Sequence, residues 1–138
     1  MMLRKRIWMP ALGAAMCSFA AACAVAGEGS CGLDTGMWAS PQQACQYAGR
    51  PEEASRRFGE EALLEWHSGF YRFQGASCAI FAANLAAKIC TLDVECSYGD
   101  KHYRGNFSIE RQSATQFRFG ARPDSPIYSY CGPGVIRP

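Results

Sequence analysis

The feature of this sequence that most constrains its fold is a regular alternation of apolar and polar residues, which begins near Ala62 and ends near Phe119. Apolar residues at every second position give a β-strand one apolar face. We predict about six strands joined as an antiparallel meander, because each strand can be paired with the next so that the apolar side chains stay on one face. A slip of one residue in any hairpin would move its apolar set into water.

The predicted pairing can be stated residue by residue. The cross-strand pairs are Trp66 with Tyr71, Leu64 with Phe73, Phe73 with Cys78, Tyr71 with Ile80, Cys78 with Cys96, Ile80 with Val94, Ala82 with Leu92, Leu92 with Phe107, Cys90 with Ile109, Phe107 with Phe119, and Ile109 with Phe117. Such a sheet closes into a small barrel or packs its apolar face under a helix. In the alternative interpretation, segments 60–66 and 81–88 are helices, because both lack β-branched residues.

A short helical segment precedes the meander. Ser40-Pro41-Gln42-Gln43 has the residues of a helix start, with a capping serine and a proline at the first helical position, and predicts a helix over 41–47. After Gly49, the acidic residues that follow Pro51 favour a second short helix that reaches Phe58. The predicted fold class is therefore mainly β with a short N-terminal helical segment (α+β), stapled by disulfides.

Residues 1–26 have the layout of a signal peptide. Arg4, Lys5 and Arg6 form a positive head, an apolar stretch follows, and 24–26 is the small-x-small pattern that signal peptidase cleaves. The predicted mature chain, 27–138, is a single domain, and Pro10 with the many alanines argues against a retained transmembrane helix. Alternatively, Ala21-Ala22-Cys23 ends a lipoprotein signal, and Cys23 carries a lipid anchor.

The cysteines indicate a disulfide framework. Six of the eight lie after residue 26, and an even number in a short exported chain is typical of disulfide pairing. A zinc site is the alternative, but the chain has no CxxC pair and only two histidines. The pairing scheme sets Cys78 opposite Cys96, whereas Cys90 and Cys96 are about 20 Å apart along one strand and cannot bond. We predict the bond Cys78–Cys96 from this register. Among the pairings that remain for the other four cysteines, Cys45–Cys131 would tie the helical segment to the last strand and leave Cys31 with Cys90.

Net charge does not indicate a nucleic-acid partner. The whole sequence has 14 Lys and Arg against 12 Asp and Glu, and loss of the three basic residues of the signal leaves 11 against 12, a net charge of −1. The positive balance therefore belongs to the export signal, and nothing in the mature chain requires nucleic acid or an acidic membrane as partner.

Residues that could carry catalysis have ordinary structural interpretations. His67 is predicted in a hairpin loop and His102 at a strand start, positions where histidines are usually exposed. Asp93 and Glu95 share the polar face of a strand, where solvation is expected to keep both ionised. No GxSxG elbow and no glycine-rich phosphate loop occurs in the sequence. We therefore predict no catalytic residue, no metal and no cofactor.

Aromatic and basic residues suggest a core and a surface. The alternating aromatic residues are expected to fill the apolar face, although a barrel of larger radius would hold an apolar ligand; they are Trp66, Tyr71, Phe73, Tyr103, Phe107, Phe117 and Phe119. Basic residues predominate after Lys101, and Arg104 and Arg118 are expected to face outward together. Such a patch docks an acidic partner or keeps a small protein soluble.

One loop resembles a known binding loop. Ser68-Gly69-Phe70-Tyr71 is similar to the serine-glycine-tyrosine loop of bacterial lysozyme inhibitors, which are small exported β-barrels. The resemblance covers four residues, its spacing is one residue short, and the cysteine pattern differs. It implies at most a loop that inhibits by contact, and it does not assign the chain to that family.

The sequence predicts a non-enzymatic binding or inhibitor-like module of the cell envelope, located in the periplasm or secreted, whose partner is an extracytoplasmic protein. A rigid, stapled scaffold suits binding because its loops lose little entropy on docking. The predicted contact residues are His67, Ser68, Tyr98, Lys101, His102, Arg104 and Arg118. The alternatives are a small exported hydrolase that uses a histidine and a carboxylate, and an accessory protein of envelope assembly or secretion.

Overall fold

A computed structural model describes residues 30–134; the predicted signal peptide, Cys23 and the start and end of the predicted mature domain lie outside these residues. The described strands form a closed antiparallel barrel, each paired with its sequence neighbours and the last with the first. They are β1 (Gly36–Ala39), β2 (Leu63–Trp66), β3 (Phe70–Phe73), β4 (Ala76–Ala86), β5 (Ile89–Tyr98), β6 (Lys101–Ser113), β7 (Gln116–Phe119) and β8 (Ile127–Gly132).

The fold class is confirmed, but the strand count was too low: the barrel has eight strands where the sequence predicted about six. The added strands are β1 and β8, which close the barrel against each other. Where they meet, Gly36 has a φ of 137° and a Cβ there would collide with the carbonyl oxygen of Gly132. A side chain at position 36 is therefore incompatible with this closure.

The helical segment lies between β1 and β2. It consists of a 3-10 helix (Gln42–Tyr47) and an α-helix, α1 (Pro51–Phe58). The second helix has the predicted bounds. The first is the tighter 3-10 form, and no side chain caps its start, so the predicted serine cap does not form. The helical alternatives for 60–66 and 81–88 were wrong, since these segments contribute to β2 and β4.

Two apolar clusters form on the two sides of the barrel wall. The interior is filled by side chains that include Trp38, Trp66, Tyr71, Phe117 and Tyr128. Every aromatic residue predicted for the core packs there except Tyr103, which is 50% exposed. Outside the wall, Met37 and Leu63 pack with small residues of the helical segment, including Ala44 and Ala54. The helices thus cover one side of the barrel.

The register of the central hairpin is as predicted near the disulfide, with Cys78 opposite Cys96 and Ile80 opposite Val94, and further on with Leu92 opposite Phe107 and Cys90 opposite Ile109. Trp66 pairs with Tyr71, as predicted. A bulge at 81–82 shifts the rest of β4, so that Ala83 and not Ala82 lies opposite Leu92.

Two hairpins differ from the prediction by two residues. Tyr71 lies opposite Cys78 and Phe73 opposite Ala76, and in the later hairpin Ile109 lies opposite Phe119 and Arg111 opposite Phe117. The connecting turns, 74–75 and 114–115, are two residues long and therefore tighter than predicted. A shift of two residues keeps every side chain on its face, so the apolar pattern alone does not detect it.

Three disulfides staple the barrel. Cys78–Cys96 joins β4 and β5, Cys45–Cys131 joins the 3-10 helix to β8, and Cys31–Cys90 joins the first described residues to β5. These are the same pairs that the sequence predicts. Three disulfides are typical of a chain that folds outside the reducing cytoplasm. Within residues 30–134, no helix is both long and apolar enough to cross a membrane.

The connections between the strands lie at the two ends of the barrel, which we call the upper rim and the lower rim. The upper rim carries the turns 74–75, 99–100 and 120–126 together with the helical segment 40–62. The lower rim carries the turns 67–69, 87–88 and 114–115.

Candidate functional site

An open cleft lies outside the barrel wall near the upper rim, between the start of α1 and the β3–β4 hairpin. Its volume is about 660 Å³, within the range of ligand pockets. We call it the helix–hairpin cleft. Its lining residues are Gly49, Arg50, Pro51, Glu52, Glu53, Arg56, Arg72, Phe73, Gln74, Gly75, Ala76, Ser77 and Ser97.

The first wall of the cleft is the N-terminal half of α1. The helix begins with Pro51, whose fixed φ suits the first helical position. One of its two acidic residues, Glu53, forms ion pairs with two arginines. Nη1 of Arg50 lies 2.7 Å from the Glu53 carboxylate, and Nη2 of Arg57 lies 3.2 Å from it. Both guanidinium groups also stack over the ring of Tyr47. Arg56 is exposed on this wall.

The second wall is the β3–β4 hairpin. Its two-residue turn has Gly75 at a φ of 81°, a left-handed conformation that glycine adopts without strain. Nε of Arg72 donates a hydrogen bond to Glu65, which anchors this arginine on the wall. Phe73 also contributes to the lining, but its ring packs in the barrel interior against Tyr71 and Phe119. The cleft therefore combines three guanidinium groups with two carboxylates.

A second, smaller cleft of about 480 Å³ lies beside the Cys45–Cys131 disulfide. Glutamines 42, 43 and 46 and Tyr130 line it. It contains no charged side chain among its lining residues, so it offers weaker recognition than the helix–hairpin cleft.

The predicted binding residues do not form one site. His67 and Ser68 belong to the lower rim, whereas Tyr98, Lys101 and His102 belong to the upper rim. The Tyr98 hydroxyl donates to Glu60, 3.1 Å away, and this bond raises the pKa of Tyr98. Nδ1 of His102 lies 3.0 Å from the Ser97 hydroxyl. The two histidines therefore lie at opposite ends of the barrel.

The expectation that Arg104 and Arg118 form one patch was wrong. Both face outward, but Arg104 lies opposite Glu95 on β5, whereas Arg118 lies opposite Glu110 on β6. Arg104 and Glu110 are six residues apart on β6, which is about 20 Å at the usual rise per residue, so Arg118 lies far from Arg104. Arg104 stacks over Phe81, at 4.8 Å from the ring centroid, and Arg118 contacts Glu110 at 3.7 Å.

The carboxylates considered for acid–base chemistry, Asp93 and Glu95, lie on the outer face of β5, opposite Asn106 and Arg104. Among the residues from 30 to 134, no group of three or more His, Cys, Asp or Glu side chains is placed to hold a metal ion.

The four residues that resemble the inhibitor loop divide between the surface and the core. Ser68 and Gly69 are exposed in the turn, and Phe70 is exposed at the start of β3. Tyr71 is only 1% exposed and stacks on Trp66, with ring centroids 5.4 Å apart. The tyrosine of this stretch therefore supports the core, and only the first three residues face solvent.

The sequence did not point to the helix–hairpin cleft or to Glu65. Arg50, Arg56 and Arg72 are scattered along the chain, and only the packing of α1 against the barrel brings them together. The acidic start of α1, Glu52 and Glu53, was the one sequence signal near this site.

The structure thus defines a disulfide-stapled, eight-stranded antiparallel barrel with a mixed-charge cleft on its outer wall. A comparison of this chain with protein-family models, curated proteins and solved structures finds no match.

Proposed function

We propose that this chain is a non-enzymatic protein-binding module, of the inhibitor type, which acts in the periplasm or after secretion. The observation that carries the proposal is the helix–hairpin cleft, because it is an open cleft of about 660 Å³ with rigid walls and a concentrated set of charges. The barrel interior, in contrast, is filled by its own aromatic side chains.

The charges of the cleft favour an acidic group of the partner. Arg50, Arg56 and Arg72 line it against Glu52 and Glu53, and Glu53 is held by Arg50 and by Arg57 outside the cleft. Guanidinium groups bind carboxylates through paired hydrogen bonds. We therefore propose that an Asp or Glu side chain, or a chain-terminal carboxylate, of the partner protein enters this cleft.

The rigidity of the walls supports binding without a large entropic cost. Residue Cys45 is bonded to Cys131 on β8, and Ala44 and Ala54 of the helical segment are buried against the outer wall of the barrel. Elements that are fixed before docking lose little conformational entropy when a partner binds.

The experiment is quantitative capture of envelope proteins from cells that produce this protein, with the purified, oxidised chain immobilised. Arg56→Glu reverses a charge in the cleft, and Arg122→Glu makes the same change in the exposed 120–126 loop. A partner that is retained by the wild type and by Arg122→Glu but lost with Arg56→Glu supports the proposal. Equal capture by all three proteins, or loss with Arg122→Glu alone, would overturn it.

A specific contact favours a hydrolase as the second candidate. Nε2 of His67 lies 2.7 Å from Oε1 of Glu65, which is a histidine–carboxylate pair of the kind used in acid–base catalysis. The His67 ring is also stacked on Phe70, with centroids 4.3 Å apart. Hydrolysis of ester or glycoside test substrates that is abolished by His67→Ala would favour the hydrolase. Co-purification with a large envelope complex would instead favour an accessory protein.

A further inference from the structure

One strand of the barrel has an edge that is not paired with a neighbouring strand. β4 pairs with β3 only as far as Ala79, and the N–H of Ile80 then donates to the Gly69 carbonyl at 2.9 Å. From Ala82 to Ala86 the strand pairs with β5 on one side. No other strand of the described part of the chain covers its second side. We call residues 82–86 the β4 free edge.

The register shows which backbone groups of this edge are available. Ala86 pairs with Ile89 across the two-residue turn 87–88, and the pair that closes such a turn exchanges its hydrogen bonds. Hydrogen bonding therefore alternates along the strand, and the N–H and C=O groups of Ala82, Asn84 and Ala86 bond to β5. The N–H and C=O groups of Ala83 and Leu85 consequently point away from β5, toward solvent.

This edge lacks the protection that β-proteins usually give to open strands. Charged residues and proline normally discourage pairing at an edge. Residues 82–86 contain neither, and the neighbouring side chains of Phe81 and Leu85 are 58% and 47% exposed. The first half of β6 is also unpaired on the side of β7, but it carries Lys101, His102 and Arg104.

We propose that the β4 free edge pairs with the same edge of a second copy of this chain. In an antiparallel arrangement with two-fold symmetry, Asn84 lies opposite Asn84 of the other copy. Ala83 then lies opposite Leu85, and Ala82 opposite Ala86, so that large side chains face small ones. This register pairs both backbone groups of Ala83 and of Leu85 in each copy, which gives four hydrogen bonds and joins the β4–β5 hairpins of the two copies edge to edge.

The absence of charge on the β4 free edge permits a second copy as the partner. The nearest charged side chain on this strand and its turn is Lys88, and the antiparallel register places the two copies of it at opposite ends, about 27 Å apart. Identical edges without charge therefore meet no repulsion. The contact involves far fewer than the roughly 20–30 residues per partner of a standard interface, so we expect a weak dimer.

The dimer is independent of the proposed function, because no residue of the β4 free edge lines the helix–hairpin cleft. Sedimentation velocity of the oxidised full mature chain, from about 5 μM to about 1 mM, tests it. We expect a reversible monomer–dimer equilibrium. Asn84→Asp places two like charges on the symmetry axis and is expected to weaken the dimer about tenfold or more at pH 7. The dimer should return below about pH 3.5, where the new carboxyl groups are protonated.

The matched control is Gln43→Glu, which makes the same amide-to-acid change at an exposed position of the 3-10 helix and should leave the dimer unchanged. A disulfide trap tests the register. Asn84→Cys should form a covalent dimer under mild oxidation, since residues opposite each other on the axis are close enough to bond. Ala82→Cys should not, because its two copies are four residues apart along the strand.

A wild-type chain that stays monomeric at 1 mM would overturn the proposal. So would a dimer that Asn84→Asp leaves intact, or equal cross-linking at positions 82 and 84. Each of these results leaves the capture experiment on the helix–hairpin cleft unaffected.

Discussion

Oε1 of Glu65 lies 2.7 Å from Nε2 of His67 on the outer wall of the barrel, and the same carboxylate accepts a hydrogen bond from Arg72. Its side chain is 2% exposed, although alternation along β2 places it on the face away from the barrel interior. A carboxylate that is removed from water requires such partners.

Replacement of this carboxylate should therefore destabilise the fold. Glu65→Gln removes the charge that holds His67 and Arg72, and we expect a loss of about 1–3 kcal/mol, less than for a fully buried pair because both partners are partly exposed. Chemical denaturation measures the change. Glu61→Gln, the same change at an exposed position, should cost less than about 0.5 kcal/mol. Equal effects of the two substitutions would contradict the role of Glu65.

The disulfides should differ in their contribution to stability according to the loops that they close. Cys78–Cys96 closes a separation of 18 residues and Cys45–Cys131 one of 86. Loop-closure entropy gives about 3 kcal/mol for the first and about 4.5 kcal/mol for the second. Pairwise alanine variants, compared by denaturant unfolding under identical conditions, should show this order. A larger loss for the Cys78→Ala/Cys96→Ala protein would show that local strain or residual structure outweighs loop length.

Phe117 should be among the costliest positions to truncate in the barrel interior. Its ring contacts those of Trp38, Trp66 and Tyr128, with centroid distances from 5.0 to 5.9 Å. Phe117→Ala should destabilise the chain by about 3–5 kcal/mol, because the surrounding rings cannot collapse into the space. Ile127→Ala, at an exposed position of β8, is the control and should cost less than about 1 kcal/mol. Similar losses for both would argue against a packed interior.

Ionisation of Tyr71 and Tyr128 should unfold the protein at alkaline pH. Burial raises the pKa of both phenols well above the ordinary value of 10.0. Because the pKa is higher in the folded state, the stability from these groups is fully present below pH 10 and is lost as the pH rises above it. Tyrosinate absorbance at 295 nm should show at least two of the six tyrosines ionising only together with the loss of the near-ultraviolet circular dichroism signal. Ionisation of all six with that signal intact would contradict their burial.

Much of the barrel could be predicted because only one face of its central strands is buried, so that apolar and polar residues alternate along the sequence. In β5 the buried residues alternate with less buried ones, so the pattern is readable. In β1, all four residues are buried, since the interior covers one face and the helical segment the other. A strand that is covered on both faces shows no alternation, which is why β1 was missed.

The Cys78–Cys96 bond and the faces of the strands follow from a period of two, but the exact cross-strand pairs do not. The two-residue shifts at 74–75 and 114–115 depend on turn geometry, and the bulge at 81–82 has no signal in an alanine-rich stretch. The helix–hairpin cleft was missed for a related reason. It depends on where α1 packs on the barrel, and the apolar contacts of that packing are small residues such as Ala44 and Ala54.

Site-specific photo-crosslinking in cells that produce the protein tests the proposed docking surface most directly. Benzoylphenylalanine in place of Gln74 sits on the rim of the helix–hairpin cleft, and the same group in place of Thr115 sits on the opposite, lower rim. Our account predicts a discrete cross-linked adduct from position 74 and none from position 115. An adduct from position 115 alone, or equal labelling from both positions, would contradict it.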